Sequence, residues 1–223
     1  VGILNYEVSG SQLARWADST RGVSPAHYRE AVARAKSDQR ALAFLAGWGT
    51  DTVLRRDGSV AGTPFDMTTS GPIKLPRDLR RLAGKVTREA FERALLGGPY
   101  ELQNSFWLDP PAVRSHAHEA RAPTKSQPPG KPGLIWLAFE AIPLHPVLPL
   151  SSTSAIAPGW RSGSSAGYVW PLWERPLGID EVKLLRALPV DRLSHRPGVA
   201  EVWASRYGKS GQNRILLPAV REH

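Results

Sequence analysis

The sequence predicts an α+β protein, with a helical N-terminal half and a C-terminal half of mixed short strands and irregular loops. Three observations predict it. Helix start and stop signals crowd the first hundred residues: Ser24-Pro25 and Thr87 open segments, and Gly97-Gly98 closes one. The C-terminal half carries β-rich runs such as "VAEVWASRY" and "NRILLPAV". Between them, Pro, Gly and Ser gather in stretches too poor in periodicity for either element.

Taken in order, Gly2 to Val8 fits a short strand, and Ser9 can cap a helix from Ser11 to Ala17. Ser24 as N-cap with Pro25 at the first helical position predicts a helix from Pro25 to about Lys36, because proline's fixed φ and missing N–H cost nothing there. Ser37 or Asp38 can cap the next, with Leu42, Leu45, Ala46 and Trp48 near helical spacing and Gly47 and Gly49 as its end. "TDTVLRRDGSV" fits a strand entering a tight Asp57-Gly58 turn. "GTPFDMTTSGPIKLP" is turn-rich, and "PRDLRRLAGK" fits a short basic helix. In "TREAFERALLGG", Thr87 caps, Phe91, Leu95 and Leu96 are expected to face the core, and the glycines stop the helix.

"YELQNSFWLDPP" is expected to be extended, and "APTKSQPPGKPG" (residues 122–133) to be an exposed flexible loop. That loop separates a helix-rich basic region (1–121) from a mixed region (134–223). "WLAFEAIPLHPVLPL" is too short for a membrane span, which needs about 20 apolar residues, and it holds Glu140, His145 and three prolines. It fits a buried helix from Gly133 to Ile142 followed by an extended run, with Glu140 at the helix end, near solvent or paired. The Ser/Gly-rich segment with Trp160, Trp170 and Trp173 suggests loops and edge strands. "IDEVKLLRALP" fits a short helix, and residues 198–220 fit a hairpin around a polar Gly-Lys-Ser-Gly-Gln-Asn-Arg tip.

Composition narrows the function. The chain has 223 residues, 41% of them hydrophobic and eight of them tryptophan, enough for a substantial core. It starts at Val1, as a fragment, a processed product or the ordered part of a longer chain would. It has no cysteine, which excludes disulfides, thiolate metal sites and thiol nucleophiles. No signal-peptide pattern is present, so the expectation is cytoplasmic. The net charge of +9 favours a polyanionic partner, most often nucleic acid.

Most of the local basic excess falls between residues 55 and 88. Arg55, Arg56, Lys74, Arg77, Arg80, Arg81, Lys85 and Arg88 lie there, and on a helix Arg77, Arg80 and Arg81 share one face. Such a face can track a phosphate backbone, with affinity falling steeply as salt rises. Further cations with the same capacity are Arg114, Arg121, Lys125, Arg161, Lys209 and Arg214, with Asn213 beside the last at the hairpin tip. The segments "SSTS" and "GWRSGSS" are the loops placed to meet DNA.

Enzymatic motifs fail on inspection. "RYGKSG" lacks the first glycine of a P-loop and precedes a strand. No nucleophile elbow is present. Asp109, His116, His118 and Glu119 could hold a metal, as a metal-dependent nuclease would need, but no second ligand cluster accompanies them. The expectation is a non-catalytic chain with no cofactor and no bound metal.

Five phrases in order, "ALAFLAGWGTDTV", "FDMTTSGPIKL", "LDPPAVRSHAHEARAP", "LIWLAFEAIPLHPVLP" and "YVWPLWERPLGIDEVKLLRALP", resemble the large subunit of type I-G (formerly I-U) CRISPR Cascade complexes. The resemblance runs from about residue 38 onward. It implies a subunit of an RNA-guided complex that binds guide RNA and target DNA and helps read the protospacer-adjacent motif. Such a subunit supports the R-loop beside backbone and guide-end subunits, and a separate helicase-nuclease is recruited to cut. Members of that family are usually longer, and no individual motif-reading residue transfers. The alternative is a free-standing RNA- or DNA-binding protein.

Overall fold

A computed structural model describes residues 22–65, 82, 86–100, 130–210 and 213–222; for 209, 210 and 213–215 it describes the backbone only. The described part is α+β. Helix α1 spans Pro25–Arg34 and begins as the sequence signals: Ser24 Oγ accepts from His27 N at 3.2 Å. Asp38 caps α2 (Gln39–Trp48), its Oδ1 accepting from Ala41 N at 2.9 Å. Gly47 does not stop α2. It lies inside the helix against Ile142, and Gly49 forms the end.

Strands β1 (Gly49–Leu54) and β2 (Val60–Gly62) form an antiparallel hairpin. In its turn, the Asp57 carboxylate accepts from both the N–H (3.0 Å) and the hydroxyl (2.6 Å) of Ser59, a side-chain brace suited to tight turns. The Tyr28 hydroxyl fastens this unit by donating to Gly49 O at 2.6 Å, with Leu45 O at 2.9 Å. Burial pushes that phenol up to about 12, with Asp51 adding to the shift.

Helix α3 (Arg88–Leu95) is capped by Thr87, as expected. The expected inward face needs correction: Leu95 is 68% and Leu96 84% exposed, while Ala90 and Ala94 are buried and Phe91 is partly buried. The reason is close approach of helix α4 (Pro132–Glu140). At Gly133 a β-carbon would sit 2.6 Å from Ala90 O, so only small side chains fit between the two helices, and the leucines turn outward.

α1, α2 and α4 share one core, with Phe44, Leu45, Trp48, Ile135, Trp136 and Ile142 buried in it. α4 ends at Glu140 rather than Ile142, and a 3-10 turn (Ile142–Leu144) precedes the extended run that becomes β3 (Leu148–Pro149). Glu140 at the helix end pairs with Arg40 on α2, across a sequence distance of 100 residues. Burial raises its carboxyl above the ordinary value, and Arg40 offsets part of that. A double-mutant cycle of Arg40→Ala and Glu140→Ala is therefore expected to return a coupling of about 1–2 kcal/mol in urea denaturation. A coupling indistinguishable from zero would mean that the pair does not fasten the two helices.

The C-terminal half is built on one long strand. β7 (Val199–Ser210) pairs antiparallel with β6 (Gly167–Trp173) on one side and with β8 (Asn213–Leu216) and β9 (Val220–Glu222) on the other. β5 (Trp160–Arg161) extends the sheet beyond β6, and β4 (Ala155–Ile156) pairs with β3. The expected hairpin is thus present and gains a third strand, β9. The Trp170 segment is no edge strand, because β6 lies between β5 and β7. Helices α5 (Ile179–Ala187) and α6 (Val190–Leu193) fill the β6–β7 connection, and Leu193 packs with Val169, Val202 and Ala204 as a second core cluster. Among the described residues, no helix is long and apolar enough to cross a membrane.

Candidate functional site

The described cations are scattered and partly engaged. Arg55 and Arg56 are exposed in the β1–β2 turn. Arg88 is exposed at the start of α3, with Nε 2.9 Å from Glu92 Oε1. Arg161 is half-buried and its Nη1 lies 3.1 Å from Glu222 Oε2, which ties the edge strand β5 to β9. Lys209 and Arg214 occupy facing positions of the β7–β8 hairpin, and Asn213 faces Ser210. Lys74, Arg77, Arg80, Arg81, Lys85, Arg114, Arg121 and Lys125 lie outside the described residues, as do Asp109, His116, His118 and Glu119. Among the described residues no group of three His, Cys, Asp or Glu could hold a metal. In the Ser/Thr loop, Ser151 and Ser154 hydroxyls lie 2.8 Å apart and the segment is exposed.

Among the described residues, a different cluster lines a cavity. His145 follows the 3-10 turn, Tyr168 stands on β6, and Arg186 comes from α5. They converge because β6 alternates: Val169 joins the second core cluster, while Tyr168 and Trp170 point to the other face. His145 Nδ1 lies 3.0 Å from Pro158 O and 3.2 Å from Arg186 Nη2, and its Nε2 lies 3.3 Å from the Tyr168 hydroxyl. Arg186 Nη2 also donates to Pro158 O at 3.2 Å, and its guanidinium carbon sits 4.8 Å from the Tyr168 ring centre. Phe65, at the end of the segment leaving β2, meets His145, Trp160 and Tyr168 edge-on, with ring centres 4.8, 4.9 and 5.4 Å away.

The electrostatics follow from burial. Arg186 is 8% and His145 3% exposed. Burial, together with the guanidinium beside it, lowers the His145 imidazole to about 3, so the ring is neutral. Burial lowers the guanidinium and raises the Tyr168 phenol, and each of the two groups moderates the other's shift. Among the described residues no carboxylate pairs with Arg186, and its Nε has no hydrogen-bond partner. Gly159 makes room for it. That residue has φ +79°, and a β-carbon there would run into Arg186 Nη2 and lie 2.7 Å from Val169 O.

His145, Tyr168 and Arg186 line a cavity of about 560 Å³. Leu144, Trp170, Leu172, Trp173, Val182 and Leu217 supply much of its wall. Leu172, Trp173 and Leu217 are also exposed, so the cavity opens to solvent between them. A concave apolar chamber with a few convergent polar groups is the usual form of a ligand site.

Sequence reasoning missed this site. Its three polar members lie 23 and 18 residues apart in sequence and fall in segments assigned to scaffolding, loops and a short helix. One signal was available: in "IDEVKLLRA" the position four after Val182 is an arginine rather than a leucine, and a cation on the inward stripe of a helix is unusual. Comparison with family models, with curated proteins and with solved structures finds no match.

Proposed function

We propose that the chain is a non-catalytic, nucleic-acid-binding subunit of an RNA-guided complex, the large subunit of a type I-G CRISPR Cascade particle working in the cytoplasm. In this reading it contacts guide RNA and target DNA, helps recognise the protospacer-adjacent motif, and stabilises the R-loop beside the backbone and guide-end subunits. A recruited helicase-nuclease does the cutting. The observation that carries it is the charge: 29 Lys and Arg against 20 Asp and Glu, an excess suited to a phosphate polymer. The exposed Arg55 and Arg56, and the facing positions Lys209 and Arg214 at a hairpin end, support it as points of backbone contact.

Co-expression with the remaining subunits and a guide RNA is expected to give one co-eluting particle. A chain that stays monomeric and free of RNA in that experiment overturns the reading. A gel shift by the isolated chain at physiological salt would favour the free-standing binder instead. Within the particle, the double variant Arg55→Glu, Arg56→Glu should flatten the dependence of DNA affinity on salt, by about 0.9 in log–log slope for each phosphate that is no longer neutralised. An unchanged slope removes the β1–β2 turn from the footprint.

A further inference from the structure

We propose that the cavity lined by Arg186, His145 and Tyr168 is a binding site for a small organic carboxylate with an apolar or aromatic body. The inference goes beyond nucleic-acid binding and does not depend on it.

A buried charge is normally paired, because an unpaired ion loses its hydration without compensation. Arg186 breaks that rule. A guanidinium carries five N–H donors, yet among the described residues the groups that Arg186 meets are all neutral: Pro158 O, His145 Nδ1 and the Tyr168 side chain. Its Nε has no partner. Tyr168 offers its ring face and its phenol, and burial keeps that phenol uncharged. The side chain nonetheless stays 8% exposed and lines the cavity. An anion entering the cavity would supply the missing countercharge at the part of the guanidinium that lines it.

The walls and the charge count define the anion. One guanidinium balances one negative charge. The buried imidazole beside it is neutral, so it adds no second cation. A carboxylate carries one charge and matches the planar fork of a guanidinium with two oxygens. A phosphomonoester carries about −1.5 to −2 at neutral pH and would leave charge unbalanced against apolar walls. Those walls, Leu144, Trp170, Leu172 and Val182 among them, ask for a hydrocarbon or aromatic body behind the acid. The chamber of about 560 Å³ is in the range of small-molecule sites.

Isothermal titration calorimetry on the full chain at neutral pH tests this with three probes of one shape: hydrocinnamate, its uncharged amide, and phenethyl phosphate. Hydrocinnamate is expected to bind at one site, about tenfold or more tighter than the amide, and tighter than the phosphate. Arg186→Met should erase the preference for the acid. Because that variant can also unfold the cluster, Ala219→Trp is the companion: it fills the cavity from its wall, leaves Arg186 in place, and should abolish binding of all three probes while far-UV circular dichroism and the melting temperature stay native-like. Equal binding of acid and amide, or no binding of the acid, overturns the site. Tighter binding of the phosphate overturns the carboxylate assignment. Wild-type affinity in Ala219→Trp places the binding elsewhere and overturns it as well.

Discussion

Acidification from neutral pH to about pH 4.5 is expected to remove about 2–3 kcal/mol of folding stability through His145 alone. The cause is the packing of the imidazole. It is 3% exposed, edge-on to Phe65, and 3.2 Å from a guanidinium, so a second positive charge there is opposed by lost hydration and by repulsion. Its folded value is lowered to about 3 from an ordinary 6.5. The sign follows from which state takes the proton first. Between those two values the unfolded chain binds a proton that the folded chain refuses. The stabilisation is therefore complete above pH 6.5 and is lost as pH falls towards 3, at up to about 1.4 kcal/mol for each pH step of one.

Other groups contribute to the total, so the comparison must be differential. Glu140 works in the opposite direction, since burial raises its carboxyl and the folded chain takes that proton first. Urea denaturation of the wild type and of His145→Phe, followed from about pH 7.5 to 4.5, isolates the histidine, because the shared groups cancel in the difference. The phenyl ring preserves the edge-on contact with Phe65 and cannot be protonated. The two stability curves should converge by about 2–3 kcal/mol over that range. Parallel curves would show that His145 is protonated in the folded state and that the cluster is open to water.

The parts of the fold readable beforehand are those set by neighbours in sequence. Ser24-Pro25, Asp38 and Thr87 mark helix starts because a side-chain oxygen three residues before a free N–H is a local device. The terminal hairpin was readable for the same reason, since its two runs flank one polar tip. What was not readable depends on distant partners. Leu95 and Leu96 were placed inward by helical spacing, but the neighbour at that face is Gly133, which admits only Ala90 and Ala94. The pairing of Arg40 with Glu140 spans 100 residues and leaves no local trace. The candidate site is the extreme case. His145, Pro158, Tyr168 and Arg186 meet only because the 3-10 turn, the β4–β5 turn, β6 and α5 are brought to one place. Each of the four residues has an ordinary local reading on its own. The basic residues posed the converse problem: a net charge is visible in composition, but which cations stay free is decided by partners such as Glu222 for Arg161.

Phe44→Ala is expected to be the most damaging single substitution in the helical core, at about 3–5 kcal/mol. Phe44 is 1% exposed and stacks on Phe139 of α4 with ring centres 4.9 Å apart and planes at 28°. Phe139 also meets Trp48 and Trp136, with ring centres 6.3 and 5.1 Å away, so four aromatic rings from two helices form one block. The guanidinium of Arg40 lies 5.3 Å from the Phe44 ring centre, which places the ring beside the Arg40–Glu140 pair as well. Truncation removes transfer energy, aromatic contacts and the platform of an ion pair together, and the surrounding rings are too rigid to collapse into the gap. Since a folded domain is stable by only about 5–15 kcal/mol, the variant should lose about 10 °C in melting temperature. Helical signal in far-UV circular dichroism is the direct readout, because the damaged interface joins α2 to α4. Phe44→Leu, which keeps most of the volume, should lose less than half as much. A melting temperature within about 2 °C of wild type for Phe44→Ala would mean that the α2–α4 block is not what holds the helical half together.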